Sequence, residues 1–198
     1  MYSRSRFDAF TDGVFSVAMT LLVVDVRLPD ALPLGDAAVF VAALRALEPK
    51  LLAYGMSFAV VGASWLAKVT AQKRPETLGR PEALLTLVYL FLVTLTPFST
   101  MALGTGSLRS GGDVLPAVWI YCGNLGAMGL VTTLIPLARR AHAHEDAPLS
   151  IFAPLCLLIA AATAAALASA GWSHWPYAFL IIALGGLADR RAQAAAKG

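Results

Sequence analysis

The chain has 198 residues with a formal net charge of +3; 58% of them are apolar, only 14% are charged, and the mean hydropathy is +0.70. Soluble domains carry about 25% charged residues, and a chain this small cannot hide so much apolar surface in one water-soluble core. The composition therefore excludes an ordinary soluble domain, and the basic residues are spread among loops rather than gathered into a patch for nucleic acid.

Spans in lipid must be helices or closed barrels, because backbone groups find no water there. The apolar runs are long and do not alternate, so the expected class is an all-α integral membrane protein in contact with the lipid bilayer. No cleavable signal peptide is expected, since Arg4 and Arg6 lead directly into an acidic segment.

Six transmembrane helices are predicted, together forming a single domain over residues 1–198. The first covers about residues 13–28, with Thr11 or Asp12 able to cap its first turn. Pro29, Pro33 and Gly35 then break the chain, and residues 36–47 form a short surface helix. The second span covers about 51–69, where Gly55, Ala59 and Ala63 make a stripe of small residues suited to close helix approach. A basic loop follows, and Pro81 suits the first turn of the third span, about 82–103. Pro97 is expected to kink that span, with Thr94, Thr96, Ser99 and Thr100 satisfying the backbone groups so freed. The fourth span covers about 114–137, the fifth about 150–170 and the sixth about 176–188. Trp172, Trp175 and Tyr177 cluster as an interfacial aromatic belt would.

An even number of spans puts both termini on one side. Eleven of the fifteen Lys and Arg residues fall on that side and four on the other. The positive-inside rule then makes the N and C termini cytoplasmic.

The first span carries most of the chemistry. At about 100° per residue, Val17, Thr20, Leu21, Val24 and Leu28 share one helical face. Asp12 falls roughly 140° from Val17 and Asp25 roughly 80° from it. If several copies of this helix surround an axis, the stripe makes apolar rings with a hydroxyl layer at Thr20. Apolar rings can narrow a pore by dewetting it, and a hydroxyl ring can touch a permeating ion. Asp12 then points into its own subunit with Arg6 as a partner, and Asp25 stands at the outer mouth, where it would raise the local cation concentration. Plainer readings stand beside these. Asp12 as a helix cap, the valine stripe as ordinary core, Asp25 paired with Arg27, and Thr20 bonded back to its own helix each fit the sequence alone.

Arg6, Phe10, Thr11 and Asp12 form an R-x-x-x-F-T-D run. It resembles the R-x-x-x-F-S-D signature that opens the first helix of the transmembrane protein 175 family, the endosomal/lysosomal potassium channels and their prokaryotic relatives. The continuation from Gly13 to Pro29 and the six spans resemble its prokaryotic members. The resemblance implies a homotetramer with one six-helix repeat per chain, conducting monovalent cations passively and favouring potassium. By position it implies that Val17 matches the main apolar constriction, Thr20 a hydroxyl layer and Val24 the next apolar layer. Arg6, Thr11 and Asp12 match motif residues that hold helix ends through hydrogen bonds. Thr11 replaces the usual Ser, Val17 is smaller than the usual Ile or Leu, and Leu66, Ala67 and Lys68 follow Trp65 where many relatives carry His. Selectivity is therefore expected to differ from that of the relatives.

No Ser/His/Asp set or phosphate loop supports an enzyme, and no cofactor is expected beyond permeant potassium. The two cysteines, Cys122 and Cys156, lie inside apolar runs and read as small buried side chains, not metal ligands. His142, His144, Glu145 and Asp146 read as a solvated turn rather than a metal site. Asn124 reads as a polar contact between helices. The expected function is a potassium-favouring cation channel in a prokaryotic cytoplasmic membrane. The alternatives are a secondary ion transporter, which usually shows repeats and broken helices, or a non-transporting scaffold.

Overall fold

A computed structural model describes residues 2–28, 37–70, 76–107 and 115–143, together with Ala161, Ala162 and Ala165. A two-residue strand, β1 (Tyr2–Ser3), leads directly into α1 (Arg4–Leu21), which tightens into a 3-10 turn at Leu22–Asp25. Then come α2 (Ala37–Ala46), α3 (Glu48–Thr70), a second short strand β2 (Thr77–Leu78), α4 (Arg80–Ser107) and α5 (Leu115–Ala143). Four segments are long and apolar enough to cross a membrane: Arg4–Asp25, Lys50–Val69, Arg80–Thr105 and Leu115–Arg140. They correspond to the first four predicted spans, and α2 to the predicted surface helix. The sixth predicted span lies outside the described residues, and the fifth is described only at its three alanines.

Helix α1 begins at Arg4, nine residues before the apolar run that marks the predicted span. Hydropathy locates where a helix enters the apolar layer, not where its hydrogen bonding begins. Thr11 and Asp12 are therefore inside the helix, and neither is its cap.

Helix α4 sits at the centre of the bundle, packed along α5, α3 and α1. The shared core draws Phe15 and Ala18 from α1, Val60 and Val61 from α3, Tyr89 and Val93 from α4, and Tyr121, Leu125 and Met128 from α5. Between helices in lipid there is no strong hydrophobic drive, so close packing and hydrogen bonds carry the association. Hydroxyls and one amide link α3, α4 and α5 inside this core. Thr100 Oγ1 lies 2.7 Å from Ser57 Oγ, Ser57 Oγ lies 3.0 Å from the Tyr121 hydroxyl, and Asn124 Nδ2 donates to Thr96 Oγ1 at 3.2 Å. Asn124 is thus the interhelical contact expected of it, and Cys122 is buried as expected.

Pro97 lies within α4, which continues through it. The flanking hydroxyls do bond to backbone: Thr94 donates to the Phe91 carbonyl, Thr96 to that of Leu92, and Ser99 and Thr100 to that of Thr96. On α3 the small-residue stripe does not serve the packing described. Gly55, Ala59 and Ala63 are exposed, and a Cβ built on Gly55 meets nothing within 4 Å.

Candidate functional site: the two faces and two ends of the first helix

The buried face of α1 and its 3-10 extension consists of Thr11, Phe15, Ala18 and Leu22, which are 5%, 1%, 1% and 3% exposed. Their spacing of four, three and four is one stripe of an α-helix. The opposite face is open. Val17, Leu21 and Val24 are 57%, 49% and 43% exposed, and Thr20 is exposed between them. The predicted stripe is therefore not core of its own subunit. Leu28, its last predicted member, lies beyond the helical segment.

The polar groups of α1 find different partners from those expected. Asp12 does not pair with Arg6. Its Oδ1 accepts a 3.0 Å hydrogen bond from the Trp65 indole of α3. The Arg6 side chain is exposed, and among the described residues it makes no hydrogen bond or ion pair. Phe10 is exposed, with its ring edge-on to Phe7 at 6.5 Å between centroids. Thr11 is buried and donates to the Phe7 carbonyl at 2.9 Å, one turn earlier in its own helix. Thr20 likewise donates back, to the carbonyls of Val17 at 2.9 Å and Ser16 at 3.1 Å.

At the C-terminal end of α1, Asp25 is paired with Lys50 of α3, not with Arg27. Lys50 Nζ lies 3.4 Å from Asp25 Oδ1 and 3.3 Å from the Asp25 carbonyl oxygen. Arg27 instead donates from Nε to the Val24 carbonyl at 2.6 Å. Both cations thus sit on carbonyls at a helix C-terminus, where positive charge is favoured, and the Asp25 carbonyl also accepts the Arg27 amide at 3.0 Å. Gly104 of α4 lets Lys50 come in: a Cβ there would stand 3.3 Å from Lys50 Cγ and 3.4 Å from its Cα.

At the N-terminal end, β1 pairs antiparallel with β2, with Tyr2 opposite Leu78 and Ser3 opposite Thr77. The Arg4 amide continues the pairing to the Glu76 carbonyl at 2.9 Å. The Arg4 side chain then enters a buried charge cluster. Arg4 Nη2 and Arg139 Nη2 both reach Glu82 Oε1, at 2.8 and 2.6 Å. The side chains of Arg4 and Glu82 are only 9% and 7% exposed. Buried charges persist only when paired, and this cluster fastens the starts of α1 and α4 to the end of α5.

Sequence reasoning did not find this cluster, because its members are separated by 78 and 57 positions. One signal was present: Glu82 is an acid at the edge of a span, on the side where basic residues dominate. Lys68, a base at the end of the second predicted span, also turns to the core, with its Nζ 4.6 Å from the centroid of the buried Tyr89 ring. Among the described residues no group of three or more His, Cys, Asp or Glu side chains is placed to hold a metal.

The family model described as endosomal/lysosomal potassium channel TMEM175 matches residues 6–97, from the Arg6 motif to Pro97. A potassium channel of Streptomyces collinus is 34% identical over 153 residues, covering 75% of this chain and 72% of that one. The endosomal/lysosomal proton channel TMEM175 of Bos taurus is 29% identical over 210 residues, and the match spans 92% of this chain but 43% of that longer protein. Among solved structures, a lysosomal potassium-selective channel TMEM175 homolog from Chamaesiphon minutus shares the fold with a TM-score of 0.69 at 24% identity, covering 92% of this chain and 96% of that one. This chain is an integral membrane protein and belongs to the TMEM175 family.

Proposed function

We propose that the chain is the subunit of a homotetrameric cation channel that favours potassium and works in a prokaryotic cell membrane. The open face of α1 carries this reading: Val17, Thr20, Leu21 and Val24 are left uncovered while the opposite face is packed into the bundle. Lipid also accepts exposed apolar residues, and the outer face of α4 has the bulk that suits it, with Leu84, Leu87, Phe91 and Phe98. The open side of α1 is different. Gly13 and Ser16 are exposed beside the valines, and nothing approaches within 4 Å of a Cβ at Gly13. Small residues and slim aliphatic side chains let four helices converge closely.

In such a tetramer Val17 and Val24 form apolar rings on either side of Thr20. Because the Thr20 hydroxyl donates to its own helix, its oxygen lone pairs remain free to face a cation. Potassium is held there by dipoles rather than by a fixed charge, as passive conduction requires binding weak enough to release. The Asp12–Trp65 bond and the Glu82 cluster would keep α1 rotated so that this face meets the axis. Six spans with cytoplasmic termini complete the reading, supported by the Lys and Arg bias of the loops.

The test is a potassium flux assay on purified protein in sealed liposomes, paired with a measurement of oligomer mass. Passive potassium flux down an imposed gradient from a particle of four chains is expected. A coupled, slow flux would favour a transporter, and sealed vesicles with no flux would leave a scaffold.

A further inference from the structure

The mouth at the C-terminal end of α1 has a charge balance that the sequence did not reveal. Taken alone, Asp25 is an acid beside a cation path and would gather cations. In the fold it is not alone. Lys50 Nζ stands 3.4 Å from its carboxylate, and the same ammonium reaches the Asp25 carbonyl oxygen at 3.3 Å. Both side chains are partly exposed, at 19% for Lys50 and 31% for Asp25, so each still influences ions in solution. The nearest basic neighbour on the chain, Arg27, is exposed and fixed on the Val24 carbonyl. Of the charged residues described at this end, Asp25 and Glu48 are acidic, while Arg27, Arg45 and Lys50 are basic.

The geometry points to Lys50 as a determinant of conductance: it compensates Asp25, so that this mouth does not concentrate cations and the permeation rate is set by the α1 rings instead. The inference rests on the channel reading above. Its physical content is a long-range field, which salt screens, rather than a contact in the path. The Debye length is about 30 Å at 0.01 M salt and about 3 Å at 1 M. A change of charge at the mouth must therefore matter in dilute salt and vanish in concentrated salt. A change that merely distorts the helix end would act at every salt concentration.

The experiment is single-channel recording in planar bilayers across this range of potassium chloride, with wild type, Lys50→Gln, Lys50→Arg and Asp25→Asn. Lys50→Gln unmasks four carboxylates in a tetramer, and it is expected to raise conductance about threefold in dilute salt and to converge on wild type near 1 M. It should also make the current sensitive to block by magnesium added at that mouth. Lys50→Arg keeps the charge and is expected to match wild type. Asp25→Asn leaves the ammonium uncompensated and is expected to lower conductance in dilute salt only; it decides the matter by itself if Lys50→Gln does not assemble. Salt-independent changes, or no change in either charge-altering variant, overturn the role of Lys50 while a conducting wild type keeps the channel reading. A wild-type protein that passes no current overturns both.

Discussion

Replacing Glu82 with glutamine removes one negative charge and leaves the shape of the side chain almost intact. In the native fold its Oε1 accepts from Arg4 at 2.8 Å and from Arg139 at 2.6 Å. The amide can still accept one hydrogen bond through its carbonyl, so the loss is mainly electrostatic: two guanidinium groups then face each other without the Glu82 charge between them. Removing one partner of a buried ion pair costs about 3–5 kcal/mol. The Arg139 side chain is 21% exposed and recovers some hydration, so the lower part of that range, about 3–4 kcal/mol, is expected. The assay is reversible or thermal unfolding of the purified protein in detergent, with the assembled fraction followed by size exclusion. Adding Arg4→Met to Glu82→Gln should return part of the loss, because the more deeply buried of the two guanidinium groups is then gone as well. If Glu82→Gln falls within about 0.5 kcal/mol of wild type, the range of an ordinary surface substitution, the cluster does not fasten these helices and the argument fails.

The other perturbations test the faces and ends of α1. In the proposed tetramer Val17→Ala should widen the apolar ring at that position, raising conductance and weakening potassium preference over sodium; unchanged selectivity and conductance in bilayer recordings would remove Val17 from the path. Asp12→Ala and Trp65→Phe should each lower assembly or stability, by about 1.5–3 kcal/mol for a hydrogen bond to a charged group. The double variant should cost little more than either single one, and fully additive losses in the unfolding assay would mean that the 3.0 Å bond is not what couples them. Gly104→Val should destabilise by about 1–3 kcal/mol through overpacking against Lys50, and an unchanged melting temperature would contradict the close approach of α3 and α4 there.

What could be read from the chain alone was local. The valine stripe is decided within a few turns of one helix, and Val17, Thr20, Leu21 and Val24 do lie together on an exposed face. The four described spans follow from unbroken apolar runs, which need no knowledge of neighbours. Pairings between helices were out of reach. Asp12 has Arg6 six positions away in sequence, yet its partner is Trp65, which comes from another helix. Asp25 has Arg27 close by, yet Lys50 reaches it, because Gly104 clears the space on a third helix. Each choice depends on which helices touch, and periodicity carries no information about that. The start of α1 was misjudged for a different reason. Residues 4–12 are polar and mixed, so they look like a tail, but pairing of β1 with β2 and the buried Arg4 hold them in helical register.

Trp65 is also a chromophore, and its ring nitrogen is bound to a carboxylate on α1. Indole emission responds to the field of a nearby anion, so a rotation of α1 that breaks this bond should shift the emission colour. The chain has four tryptophans, at positions 65, 119, 172 and 175. Changing the last three to phenylalanine would leave one native dye reporting on the orientation of that helix in real time, with no label attached.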